Sequence, residues 1–152
     1  MTKLDQKIIT KNWEETADFA SAIAGSLHGG ETLALSGQLG GGKTTFTKGL
    51  AQALGVVENV TSPTFVMMKV YPIKIDQQEM KFVHIDAYRT ESIEDIKSVG
   101  IEDYLDRDDV IMVVEWAEKI KEIMPQDMIK INFKFIDENT REILVYSSNY
   151  LK

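Results

Sequence analysis

The sequence predicts an α/β fold: a mixed β-sheet flanked by helices, with antiparallel strands at its edge and at the C-terminus. Three observations carry this. Residues 32–36 are short and apolar and lie between Gly29-Gly30 and Gly37, as a buried strand should. Residues 45–54 place apolar side chains at 46, 50, 53 and 54 and stop at Gly55, as an amphipathic helix should. Residues 110–114, Val-Ile-Met-Val-Val, form the continuous apolar run of a central strand covered on both faces. Alternating strands and helices of this kind build an open sheet with its ligand edge at the strand C-termini.

The other elements follow in order. Residues 7–10 suggest a short first strand. Asn12 then reads as an N-cap, with Glu15 completing a capping box. Trp13, Ala17, Ala20, Ile23, Ala24 and Leu27 recur at helical spacing, predicting a helix over 13–28. Residues 64–71 and 80–87 are β-rich runs, read as an antiparallel pair joined by a rather long loop containing Pro72 and the polar stretch 76–78. Ser92 opens and Gly100 closes a short helix, and residues 101–105 add a turn. Residues 117–124 are helical up to Pro125. Ile129, Ile131, Phe133 and Phe135 alternate with Lys130, Asn132 and Lys134, then 137–140 turns and 142–147 returns as a strand.

Composition narrows the classes. With 152 residues, 43% hydrophobic and 27% charged, the chain is expected to form one domain, residues 1–152, of ordinary globular character. Seventeen basic against 24 acidic residues give a net charge of −7, which argues against a protein that grips nucleic acid alone. The absence of cysteine excludes disulfides, thiolate nucleophiles and Cys-ligated zinc. No signal-peptide core and no run of membrane-spanning length is present, so the expected compartment is the cytoplasm.

Between the predicted strand 32–36 and the predicted helix 45–54 stands Gly37-Gln38-Leu39-Gly40-Gly41-Gly42-Lys43-Thr44, a complete G-x-x-x-x-G-K-[ST] phosphate-binding loop. Its glycines allow backbone N–H groups to turn inward around phosphate oxygens. Lys43 would meet the β and γ phosphates and the Thr44 hydroxyl would ligate Mg²⁺. Strand–loop–helix order sets the phosphates at a helix N-terminus, where free N–H groups and the helix dipole attract anions. A nucleoside triphosphate is the expected ligand. No D-x-x-G follows the loop, and the T-K-x-D match at Thr2-Lys3-Leu4-Asp5 precedes it, so ATP is favoured over GTP.

Such a loop needs carboxylates for magnesium and for the attacking water. Glu115 ends the 110–114 strand, a position more often held by Asp. Asp86 ends the run 81–85 and shares a face with His84, which reads as a hydrogen-bonded core histidine rather than a catalyst. Thr64, in the segment 61–65, stands where many phosphate-loop proteins place a switch that senses the γ phosphate, though a plain Ser-Pro turn fits nearly as well on local grounds. Trp116 is either a core aromatic or a stacking surface beside the site. The chain has three arginines, Arg89, Arg107 and Arg141, with Arg89 nearest in sequence to a site residue. Phosphoryl transfer calls for a well-placed cation, so slow hydrolysis raised by a partner is expected.

Taken together, residues 37–44, Ser62-Pro63-Thr64-Phe65, His84-Ile85-Asp86-Ala87-Tyr88-Arg89 and Val114-Glu115-Trp116 resemble the successive motifs of the TsaE (YjeE/YdiB) family. Residues 100–104 also resemble a family segment. The resemblance implies a bacterial cytoplasmic P-loop ATPase needed for the threonylcarbamoyladenosine modification of tRNA, acting with TsaB and TsaD and meeting tRNA only through that complex. It implies that Lys43, Asp86 and Glu115 carry the chemistry, with Thr44 and Glu115 holding magnesium. Gly37, Gly40, Gly41, Gly42, Lys43, Thr44 and Thr45 would surround ATP, with Trp13 and Arg141 approaching it. Thr64, Arg89 and Trp116 would form the switch or partner side. Gly41 stands where Ala is usual in the family loop. Two other readings compete: a small-molecule kinase, disfavoured by few arginines and no room for a lid, and a nucleotide-dependent binding module without productive hydrolysis.

Overall fold

The computed structural model describes residues 3–38 and 40–147. Leu39, inside the phosphate loop, and Thr2, in the T-K-x-D match, lie outside the described residues. The strands are β1 (Lys3–Thr10), β2 (Thr32–Gly37), β3 (Met68–Ile75), β4 (Gln78–Asp86), β5 (Val110–Glu115), β6 (Ile129–Phe135) and β7 (Arg141–Ser147). They make one seven-stranded sheet in the order β1-β7-β6-β2-β5-β4-β3. The middle four, β6-β2-β5-β4, run parallel. The β1/β7, β7/β6 and β3/β4 pairs are antiparallel, so both flanks of the sheet are built from hairpin-type pairing.

Helices α1 (Trp13–Ala24) and α2 (Lys43–Ala53) cover one face, and the short α3 (Ile93–Ser98) covers part of the other. The apolar run of β5 is explained by this arrangement. Ile111 and Val113 pack with Phe19, Phe46 and Leu50 under α1 and α2, while Val110, Met112 and Val114 pack with Ile96, Ile101 and Ile120 opposite. In β6 only one face is covered. Ile129, Ile131 and Phe133 are buried, the alternate Lys130, Asn132 and Lys134 are exposed, and Phe135 at the strand end is 42% exposed.

Several sequence expectations need correction. Helix α1 ends at Ala24 rather than 28, although Leu27 is buried in the turn beyond it. Its buried stripe is Thr16, Phe19, Ala20, Ile23 and Ala24, and Trp13, in the first turn, is 68% exposed. Asn12 caps the helix by accepting the Glu15 N–H at 2.8 Å, but the Glu15 carboxylate reaches the Lys11 N–H at 2.9 Å, one residue before the expected partner.

The second expected pair is a tight hairpin, not a long loop. Pro72 lies inside β3, opposite Lys81, where an edge strand can tolerate a missing N–H. Asp76 and Gln77, both with positive φ (51° and 68°), make the two-residue turn whose twist matches paired strands. Residues 64–67 are a turn, closed by the Met67 N–H bonded to the Pro63 carbonyl at 2.7 Å. After β5 the expected helix is a 3₁₀ segment, Ala117–Ile123, broken at Ile120.

Helices α1 and α2 lie against each other at Gly49. A Cβ there would stand 2.9 Å from the Ala17 Cα and carbonyl oxygen and 3.1 Å from its Cβ. Overpacking costs about 1–3 kcal/mol, against a helix-propensity gain of about 1 kcal/mol for replacing glycine. Gly49→Ala is therefore expected to lower the urea midpoint of unfolding despite better propensity, and Gly49→Val to lower it further. An alanine variant more stable than the parent would show that the helices have room to part.

Candidate functional site

Strand β2 ends where the chain must turn under β6, and only glycine fits. At Gly37 φ is +134° and a Cβ would lie 2.2 Å from the Phe133 carbonyl oxygen. Gly42, with φ of +103°, leads directly into α2. A methyl group at Gly41 would come within 2.9 Å of the Gln38 carbonyl oxygen, to which the Gly41 N–H is bonded at 3.0 Å, so the loop closes tightly. The first N–H groups of α2 have no partners within the helix and face an open cleft of about 390 Å³. Its lining includes Gly40 to Thr45, Ser62, Thr64, Asp86, Tyr88, Glu115, Trp116 and Arg141.

Lys43 folds back onto its own loop. Its Nζ donates to the Gly37 and Gln38 carbonyls at 2.7 and 2.9 Å and stands 4.2 Å from the Trp116 ring centroid. Burial holds its pKa below the ordinary lysine value, opposed in part by the negative charges of Glu118, Glu115 and Asp86.

The two carboxylates arrive on neighbouring parallel strands, Asp86 directly in register with Glu115. Glu115 is 2% exposed. Its Oε1 accepts the Thr44 hydroxyl at 3.0 Å, and its Oε2 is 2.5 Å from His84 Nε2. Asp86 is 4% exposed. Its Oδ2 accepts from the Ser62 hydroxyl and from Thr64 Oγ1 (3.2 Å), and its Oδ1 accepts the Tyr88 N–H at 2.9 Å.

The structure thus brings Lys43, Thr44, Asp86, Glu115, Thr64 and Trp116 into one cleft. Trp116, half-buried, packs 5.0 Å from the Tyr88 ring and resolves as a wall of the cleft, with φ of +60° holding it there. Arg141 also reaches the loop. Its Nε donates to the Gly40 carbonyl at 3.1 Å and its Nη1 to the Asp137 and Thr140 carbonyls at 2.6 and 3.0 Å. Trp13 borders a smaller hollow of about 110 Å³ that shares Gly42, Thr45 and Arg141 with the main cleft. Arg89 is not in the cleft: it is exposed, with its guanidinium 4.4 Å from the Phe65 ring. His84 is fully buried and hydrogen-bonded as expected, but its partner is the site carboxylate. Reading the sequence missed that partner and the parts of Ser62 and Tyr88. The two-residue period pointed to a shared face for His84 and Asp86, whereas the bond to Glu115 depends on strand order.

Among the described residues no cluster of three or more His, Asp or Glu side chains could hold a metal by itself. The donor set fits magnesium of another kind, bound through one or two protein oxygens plus substrate phosphates. Charge points the same way. Lys43 is surrounded by the negative charges of Glu118, Glu115 and Asp86, the last two lining the cleft, so a polyanion entering it is helped by a further cation.

A glycine loop between a parallel strand and a helix, with a lysine at the helix start and a carboxylate-ended strand beside it, defines an α/β protein of the phosphate-loop class. Residues 10–143 match the family described as "Threonylcarbamoyl adenosine biosynthesis protein TsaE". The chain is 39% identical over 134 residues to the tRNA threonylcarbamoyladenosine biosynthesis protein TsaE of Bacillus subtilis (strain 168), covering 88% of this chain and 80% of that one. It is 36% identical over 146 residues to the Aquifex aeolicus protein of the same name, covering 95% and 98%. The crystal structure of Bacillus subtilis YdiB superposes with a TM-score of 0.74 at 34% identity, covering 98% of this chain and 88% of that one. The chain belongs to the TsaE family, whose role is in tRNA threonylcarbamoyladenosine biosynthesis. No helix among the described residues is long and apolar enough to cross a membrane.

The Lys43 shift has a measurable consequence. Because its folded pKa lies below the unfolded value of 10.5, the unfolded chain binds more protons in the interval between them. The cost of burying the charge is fully present below the folded pKa and is relieved as pH rises toward 10.5. Urea unfolding of the parent and of Lys43→Ala should therefore show the parent gaining relative stability as pH rises toward 10.5. A constant or shrinking difference would show that Lys43 is not held in its charged form at a cost.

Proposed function

We propose that this chain binds ATP with Mg²⁺ in the 37–44 loop and hydrolyses it as an accessory protein of tRNA threonylcarbamoyladenosine synthesis. In this reading it acts with TsaB and TsaD in the cytoplasm, sustains turnover of threonylcarbamoyl transfer, and meets tRNA through that complex. The observation that carries the proposal is the Thr44–Glu115 hydrogen bond beside Asp86, which sets both carboxylates at the mouth of the phosphate loop.

The geometry supports a set of roles. The N–H groups of residues 40–45 and the Lys43 ammonium take the phosphates, Lys43 exchanging its loop carbonyls for phosphate oxygens. Held by Thr44 and Glu115, magnesium would supply positive charge against the β and γ phosphates. Asp86, poised by two hydroxyls and one N–H, orients the attacking water and receives its proton. Thr64 and Ser62 sense the terminal phosphate through their shared bond to Asp86. Trp13 and Arg141 flank the approach to the nucleotide from the side of α1.

Hydrolysis by the chain alone is slow in this reading because no arginine is free at the reacting end of the cleft. Arg89 is stacked on Phe65, Arg107 is paired with Asp109 at 2.7 Å, and Arg141 is bonded to three carbonyls. Removal of a positioned charge of this type costs orders of magnitude in rate. The net charge of −7 fits a protein that reaches tRNA through partners rather than by its own surface.

Mixed with TsaB and TsaD, the chain should show ATP hydrolysis well above its own rate and should restore repeated rounds of tRNA modification. Both effects should fall at least tenfold in Lys43→Ala and Glu115→Ala, the range expected on losing a charge-stabilising contact. A chain that leaves both rates unchanged while phosphorylating a metabolite would replace this reading with a kinase.

A further inference from the structure

We propose that His84 is a positioning residue, holding the Glu115 carboxylate against Thr44 so that the phosphate loop meets its metal partner in one fixed geometry. Glutamate at the end of β5 carries one more rotatable bond than aspartate, and a carboxylate there needs a restraint on each oxygen to keep a single orientation. Thr44 restrains Oε1 at 3.0 Å and His84 restrains Oε2 at 2.5 Å.

The imidazole is poorly explained as filler. It is fully buried, and its Nδ1 has no hydrogen-bond partner among the described residues. Its strand neighbours Val83 and Ile85 and its register partner Val113 on β5 are apolar, while on β3 it stands level with Lys69, whose ammonium lies over the Tyr71 ring. An apolar side chain would occupy this place without burying an unpaired ring nitrogen. What the imidazole adds is the bond to Glu115. That bond also fixes the tautomer. A carboxylate only accepts, so the proton between them sits on Nε2, and a proton on Nδ1 would be buried without an acceptor. Ligand-orienting partners of this type alter metal affinity by about 10- to 100-fold when removed.

The proposal rests on the nucleotide reading above for its role, and two measurements separate them. In the first, long-range ¹H–¹⁵N spectra of the ligand-free protein report the His84 ring directly. A proton on Nε2 is expected, and a bare Nε2 overturns the proposal whatever the chain binds. In the second, ADP affinity is measured by calorimetry with magnesium and with chelator for the parent and three variants. His84→Gln can place its amide N–H near the Nε2 position, whereas His84→Asn is too short and His84→Leu has no donor. The magnesium-dependent gain should survive in Gln and drop about tenfold or more in Asn and Leu. Affinity in chelator should be the same in all four. Equal gains in all variants, or a Gln variant that folds yet loses as much as Leu, overturns the proposal. If the parent itself binds no ADP, the nucleotide reading fails and the ring spectrum alone decides the bond. The spectrum of the parent also decides it if the variants do not fold.

Discussion

A carboxylate that the sheet holds almost wholly out of water must be bonded where it stands, and Glu115 is that carboxylate. Its two oxygens are met by groups from different elements: Thr44 from the first turn of α2 and His84 from β4. The pair of bonds ties the helix that carries the phosphate loop to the strand that carries Asp86, across the central strand β5. Such a tie is possible only because β2, β5 and β4 are adjacent and parallel, with Leu35 and Asp86 both level with Glu115. Parallel strands end together on one edge, so loop, carboxylates and the 61–67 turn share one mouth. The double-sided burial of β5 keeps that register from slipping, since a one-residue shift would exchange its two packed faces.

The electrostatics of the mouth are unbalanced in a directed way. Lys43 is desolvated and tied to the carbonyls of Gly37 and Gln38, while the charges that surround it are acidic. An N-terminal helix turn adds N–H donors and partial positive charge. Anion and cation are thus both under-supplied, each with its own set of contacts: donors along the loop, oxygens on Thr44 and Glu115. A ligand that brings the two together satisfies both, whereas a simple anion would leave the carboxylates facing it.

How much of this was legible in the sequence follows from which physical rule governed each residue. The phosphate loop was readable because its backbone leaves no choice: Gly37 has no space for a Cβ, and the motif is local. The strand β5 was readable because burial on both faces writes an unbroken apolar run. Helix α1 was overextended and Trp13 misplaced because periodicity reports a stripe but not where the sheet beneath it ends. The β3–β4 turn at 76–77 was read as a longer loop because Asp76 and Gln77 adopt left-handed backbone without the glycine that normally announces a tight turn. Arg89 is near Asp86 along the chain but stacks on Phe65, outside the cleft, because position in sequence does not record which way a turn faces. The His84–Glu115 bond spans 31 positions and depends on strand order, which no local pattern records.

Arg141 shows how the same topology limits the chemistry. It lies at the start of β7, and the β6–β7 hairpin brings it over the loop from the side opposite β4 and β5. There its guanidinium is divided among the carbonyls of Gly40, Asp137 and Thr140, with Phe135 under its face at 4.6 Å. A guanidinium held by three acceptors and a ring is a strut: it braces the outer arm of the loop against the hairpin turn. To reach the Asp86 side of the cleft it would have to abandon all of those contacts. The bracing of the loop and the absence of an unengaged arginine beside the carboxylates therefore come from one placement. A cation supplied from outside can occupy the carboxylate side without disturbing the brace.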